Sequence, residues 1–151
     1  MKITFLVVGK TNHSSLIQLQ EEYQNRLKHY ISFETITIPE LKNTKNISES
    51  EQKEKEADLI LKQLEAADEV ILLDEKGKQL TSVAFSEFLS KKILASHKRM
   101  VFVVGGPYGF SERIYNRANG LISLSAMTFS HQMIRVIFVE QLYRAFTILK
   151  G

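Results

Sequence analysis

The run Val101-Phe102-Val103-Val104, broken at once by Gly105-Gly106-Pro107-Tyr108-Gly109, restricts the folds open to this chain more than any other stretch. Four consecutive apolar residues, three of them valine, predict a buried strand. The glycines and Pro107 end it, and Ser111 is placed to cap a helix that follows. A strand entering a glycine turn and then a helix is a unit of an open α/β sheet, whose ligands bind outside the carboxyl ends of the strands. Glycines in such a turn let a ligand approach bare backbone, so any chemistry is expected here. A tight turn with no ligand is the plainer alternative.

The rest of the chain supplies the neighbours such a strand needs. Ile3 to Val8 is an apolar run closed by Gly9 and predicts a first strand. Ser14 or Ser15 opens a helix to about Tyr30, with Leu16, Leu19, Tyr23, Leu27 and Tyr30 three and four apart. Phe33 to Ile38 is a β-rich segment that Pro39 ends. The polar stretch from Leu41 to about Glu51 lacks a period and predicts a mobile loop. Ser48 or Ser50 then opens a charged helix to about Ala66, whose apolar face is Ala57, Ile60, Leu61 and Leu64. Val70 to Leu73 predicts a short buried strand ending in a turn at Asp74 to Lys78. Ser82 caps a helix carrying Phe85, Phe88, Leu89 and Ile93. After the Val101 strand come a helix from Ser111 to about Ala118, a fifth strand at Gly120 to Leu124, and a long helix from His131 to Leu149. This alternation predicts an α/β fold, a mostly parallel sheet with helices on both faces, in one domain over residues 1–151.

Composition narrows the chemistry. A chain of 151 residues buries roughly 70% of its extended surface and needs no covalent staples. It has no cysteine, which excludes disulfides, thiolate metal sites and cysteine nucleophiles. His13, His29, His97 and His131 form no close pair, so no metal is expected. The apolar run at the amino terminus is too short for a signal peptide, and no stretch approaches the ~20 apolar residues of a membrane span. The expected location is the cytoplasm. A net charge of +3 is compatible with a nucleic-acid partner without establishing one.

The last helix is apolar around most of its circumference, through Met133, Ile134, Val136, Ile137, Phe138, Val139, Leu142, Tyr143, Phe146, Ile148 and Leu149. Such a helix must be covered nearly all round. A second subunit covering it makes a homodimer the favoured expectation, with a helix central to the monomer as the alternative.

Two further segments join the glycine turn: Leu73-Asp74-Glu75-Lys76-Gly77-Lys78-Gln79-Leu80-Thr81-Ser82, and Leu124-Ser125-Ala126-Met127-Thr128-Phe129-Ser130-His131-Gln132-Met133-Ile134-Arg135 running on into Glu140-Gln141-Leu142-Tyr143-Arg144-Ala145-Phe146. With the opening Met1-Lys2-Ile3, these resemble, essentially end to end, the ribosomal RNA large subunit methyltransferase H family, of the SPOUT class of S-adenosylmethionine-dependent enzymes. The resemblance implies a carboxyl-terminal trefoil knot, a rare exception to the rule against threaded chains. It implies S-adenosyl-L-methionine as cofactor, held by Leu73, by Gly105 and Gly106, and by Leu124, Ser125, Ala126, Met127, Thr128 and Phe129. It further implies a homodimer that methylates N3 of a pseudouridine in large-subunit (23S) rRNA on the assembled ribosome. Relatives carry a short tail with a Tyr-His pair after the last helix; the sequence here ends Leu149-Lys150-Gly151, so no tail residue is assigned.

The residues suit that chemistry. Leu73, Leu124 and Met127 offer apolar walls for an adenine ring, and the glycines offer bare backbone. A uracil-type N3–H is weakly acidic, so a base or cation nearby would speed attack. His131 and Arg135, four apart on one helix, are candidates, and Arg144 is a third. Each also has a plainer role: His131 in capping or substrate contact, and Arg135 and Arg144 in pairing with Glu140. Asp74 and Glu75 are read as structural or solvated. Tyr108 and Phe110 either stack on a flipped base or pack under the turn. Lys42, Lys45, Lys76, Lys78, Lys91, Lys92, Lys98 and Arg99 are basic groups that could meet phosphates. A catalytically silent RNA- or ribosome-binding protein of the same fold is the alternative from another class.

Overall fold

A computed structural model describes residues 1–151 throughout. The elements are β1 (Lys2–Val8), α1 (Ser14–Leu27), β2 (Ser32–Ile38), a 3₁₀ turn at Thr44–Asn46, α2 (Glu49–Lys62), β3 (Glu69–Gln79), α3 (Ser82–Leu94), β4 (Arg99–Val104), α4 (Glu112–Arg117), β5 (Gly120–Ser123) and α5 (His131–Lys150). All strand pairs are parallel, in the order β2-β1-β4-β3-β5. Every strand therefore ends at the same edge of the sheet, and every strand-to-helix turn lies there.

The strand periodicity of two sorts the core into two layers. Ile3, Phe5 and Val7 of β1, Ile71 of β3 and Met100, Phe102 and Val104 of β4 face α1, α3 and α5. Leu6, Val8, Val70, Leu72, Val101 and Val103 face the other way, against Ala57 and Ile60 of α2 and Ile114 of α4. The Val101 strand is buried on both faces because β1 and β3 flank it and helices cover both sides.

Several local expectations change. The segment Asp74 to Lys78 is not a turn that ends the strand: β3 runs to Gln79, and its pairing with β5 jumps from Leu73 opposite Ile122 to Lys78 opposite the same residue. The intervening residues form a bulge, and their turn-like composition reflects that. Thr81 rather than Ser82 caps α3, accepting the Ala84 N–H at 3.0 Å, while Ser82 Oγ donates to Gln141 Oε1 of α5. Helix α1 has His13 at its cap without a side-chain bond, and Gln132 Oε1 of α5 accepts the Asn12 and His13 N–H groups instead. Within α1, Leu27 is buried and Leu19 exposed, with Gln20 taking a buried position. Ser48 does cap α2, through the Glu51 N–H.

Helix α5 lies over the sheet between α1 and α3, with Phe138, Val139, Leu142 and Ala145 fully buried. Phe138 stacks obliquely on Phe5 and Phe102 at 4.7 and 4.8 Å between centroids. The monomer itself thus covers most of the apolar circumference that suggested a partner. Met133 and Ile148 stay exposed on it.

Candidate active site

At the carboxyl edge of the sheet a cleft of about 470 Å³ opens between the ends of β3, β4 and β5. Its walls come from Leu73 to Lys76, Val104 to Phe110 and Ser123 to Phe129, with Lys53 of α2, Tyr115 of α4 and His131 and Ile134 of α5 completing it. All nine residues expected at a cofactor, Leu73, Gly105, Gly106, Leu124, Ser125, Ala126, Met127, Thr128 and Phe129, line this one cleft.

Each wall is held by its own bonds. In the turn after β4, the Gly109 N–H donates to the Gly106 carbonyl at 3.1 Å, and Gly109 adopts φ +80°. A packing constraint also bears on Gly105 and Gly106, beside the ligand approach anticipated above. A Cβ on Gly105 would lie 3.0 Å from the Phe110 ring, and one on Gly106 would lie 2.4 Å from Glu56 Oε1. Protein groups occupy the space where those side chains would be. Behind the β3 wall, Asp74 accepts the Lys76 N–H at 2.8 Å and the Tyr115 hydroxyl at 2.5 Å. Burial, reinforced by the Asp74 carboxylate, pushes the Tyr115 phenol well above its ordinary range. Asp74 thus ties the bulge of β3 to α4, the structural alternative for that residue. In the third wall, Ser125 Oγ accepts the Met127 N–H and the Ser125 carbonyl accepts from Ser123 Oγ, which bends the segment back toward α5. Ser130 then caps α5 through the Met133 N–H.

A family model described as "Predicted SPOUT methyltransferase" matches residues 1–151. The chain belongs to the SPOUT methyltransferase family. Among its relatives, a protein of Parabacteroides distasonis named ribosomal RNA large subunit methyltransferase H is 60% identical over all of this chain and 96% of its own length. A protein of Flavobacterium johnsoniae with the same name is 57% identical over the same shares. Among solved structures, one described as a probable methylase family protein of Haemophilus influenzae Rd KW20 superposes with a TM-score of 0.54 at 15% identity. That match covers 98% of this chain and 66% of the other, and it supports the fold.

In this SPOUT methyltransferase the three charged candidates of α5 are placed very differently. His131, in the first turn, is exposed and lines the cleft. Arg135, one turn on, does not line it. Its guanidinium is buried and donates to the Val8 carbonyl at 2.8 Å, the Gly9 carbonyl at 2.8 Å and Thr11 Oγ1 at 3.0 Å. Burial lowers its affinity for the proton, against the field of Glu40. Arg144 is exposed and bonded to Glu140 at 3.0 Å, three and a half turns or about 20 Å along the helix from His131. It does not line the cleft. Phe110 packs against Tyr115 with centroids 5.8 Å apart, whereas Tyr108 is exposed at the tip of the turn.

Lys53, Tyr115 and Ile134 were not foreseen in the cleft, nor Glu56 behind it. Tyr115 carried only the signal of a ring four residues after Ser111, whereas Ile134 stood inside the third motif and was read only as part of the apolar helix. Glu56 carried a clearer one, a carboxylate on the buried stripe of α2, one residue before Ala57 and four before Ile60. No group of three or more His, Asp or Glu converges in a manner that would hold a metal ion, and no helix is long and apolar enough to cross a membrane.

Proposed function

We propose that this chain methylates large-subunit ribosomal RNA with S-adenosyl-L-methionine, at N3 of a pseudouridine of 23S rRNA in the assembled ribosome. It would act in the cytoplasm as a homodimer, each subunit one domain over residues 1–151 with the segments around the cleft threaded in a trefoil knot. The observation that carries this reading is the convergence of three chain-distant bends, at Leu73, Gly105 and Leu124, on one cleft. The names borne by full-length relatives at 57–60% identity support the substrate class.

The cleft suits the cofactor by size and by lining. Its volume of about 470 Å³ falls within the ~300–1,000 Å³ of small-molecule sites. Leu73, Leu124, Met127 and Phe129 would enclose an adenine ring, and the backbone of the Gly105 turn and of Ser125 to Thr128 would meet its polar edges. When bound, the cofactor supplies an electrophilic methyl group, so alignment and proton handling fall to the protein. His131 is placed to hold the N3 proton of the target base, and the exposed Tyr108 to stack on that base. Arg135 acts by fixing the first turns of α5, which present His131. Arg144 would reach the substrate from the second subunit.

Ribosomes from a strain lacking the endogenous modification, incubated with the protein and methyl-labelled cofactor, test the reading. Label is expected in 23S rRNA at one pseudouridine, and H131A is expected to lower the rate about 100-fold, the usual worth of acid–base help. No label in rRNA together with no specific uptake of the cofactor would leave the silent RNA-binding reading standing instead.

A further inference from the structure

Glu56 is a buried acid that the mechanism above does not use. It sits on α2 one turn after Lys53, yet Lys53 lines the cleft and Glu56 lies behind its wall, 5% exposed. A Cβ added to Gly106 would be 2.4 Å from Oε1 and 2.6 Å from Oε2, so the carboxylate fills the volume where residue 106 would carry its side chain. The carboxylate lies against Gly106, whose backbone offsets part of its burial cost, and Gln52 Nε2 donates to Oε2 at 3.3 Å. No lysine or arginine pairs with it. A buried carboxylate without a counter-ion is costly, and an apolar side chain on this stripe of α2 would stabilise the fold better. Glu40 adds to the cost through its like charge. The carbonyl of Gly106 is meanwhile engaged by the Gly109 N–H at 3.1 Å.

We propose that Glu56 is a positioning residue of the cleft: its carboxylate, seated against Gly106, fixes the glycine turn in the orientation that receives the cofactor. The inference rests on the reading of the cleft as a cofactor site. A turn held beforehand spares the ordering cost that binding would otherwise carry. Glu56→Gln keeps an acceptor oxygen of the same reach, Glu56→Ala removes it, and Gly106→Ala dislodges the carboxylate from the other side.

Calorimetry of the full-length protein with S-adenosylhomocysteine, supported by amide exchange over residues 105–109 without ligand, decides the matter. Glu56→Ala is expected to weaken binding about tenfold, because the turn loses the group seated against it. Glu56→Gln should stay within about threefold of wild type, and exchange at the turn should accelerate in Glu56→Ala alone of these two. Gly106→Ala should resemble Glu56→Ala, and the double variant should bind no worse than either, because both changes undo the same contact. Additive losses in that cycle would overturn the proposal, as would a folded Glu56→Ala protein with wild-type affinity and wild-type exchange. Accelerated exchange in Glu56→Ala, in a protein that takes up no ligand in any form, would instead sink the cofactor reading, and with it the role assigned to Glu56.

Discussion

At Gly77 the bulge of β3 passes so close to β5 that a Cβ would lie 2.6 Å from the Ile122 nitrogen and 2.7 Å from the Leu121 carbonyl carbon. These are backbone atoms in a paired strand and cannot step aside as a side chain would. Gly77→Ala is therefore expected to cost about 2–3 kcal/mol in urea denaturation and to weaken cofactor binding, since the displaced bulge carries the Leu73 wall. Gly106 differs, because what opposes it is a carboxylate. Burial raises the Glu56 carboxyl above its ordinary value of 4.5, with Gln52 and the Gly106 backbone pulling the other way. An acid raised in the folded state adds stability below the unfolded value and loses that contribution as pH rises through the raised one. Stability curves of wild type and Glu56→Gln should accordingly diverge in favour of the variant as pH climbs from 4.5, and parallel curves would contradict the burial effect. At this scale the sequence pointed to Gly105 and Gly106 without the packing reason for them, and it read Gly77 only as part of a turn. Gly105, Gly106 and Gly77 stood in recognisable motifs, yet the groups that press on them, Phe110, Glu56 and the β5 backbone, are brought there by tertiary packing.

Helix α5 shows how one element can be legible in outline and opaque in role. Its span and its apolar character were both visible in the residues from His131 to Leu149, whereas the cap at Ser130 was not. What could not be read was the direction each polar group faces. Arg135 stands four residues from His131, a spacing that suggested a shared active face. The chain instead turns its guanidinium toward the end of β1, where three oxygens receive it. Replacement by methionine keeps the stem and removes those bonds, so Arg135→Met is expected to lose about 3 kcal/mol of stability while the folded fraction retains cofactor affinity. Thermal unfolding and calorimetry on one sample separate the two effects. The β3 bulge and the α3 cap failed for a related reason. Asp74 to Lys78 has the composition of a turn whether or not the strand resumes, and Thr81 and Ser82 are equally good capping residues until the backbone chooses one.

Across the whole molecule, alternation of strand and helix was enough to anticipate an open parallel sheet with its turns along one edge. The strand order was not, since nothing local states that β4 enters between β1 and β3. The subunit question turns on a narrower surface than the sequence suggested, because α1 and α3 already flank α5. What remains is a set of exposed apolar side chains that includes Met133 at 39%, Ile148 at 38% and, on α3, Val83 at 56%. If these meet a second copy, Met133→Glu with Ile148→Glu should halve the mass seen by sedimentation equilibrium without unfolding the chain, whereas an unchanged dimer mass would place the interface elsewhere and a monomer mass for the unaltered chain would remove the dimer altogether. The central position of α5 also bears on how the protein comes into being. Phe138, Val139 and Leu142 fill a groove between helices that are synthesised before them. Until residues 131–150 arrive, Phe5, Phe85 and Phe102 lack the Phe138 ring that packs against all three, so that face of the nascent sheet is left uncovered to the end of synthesis.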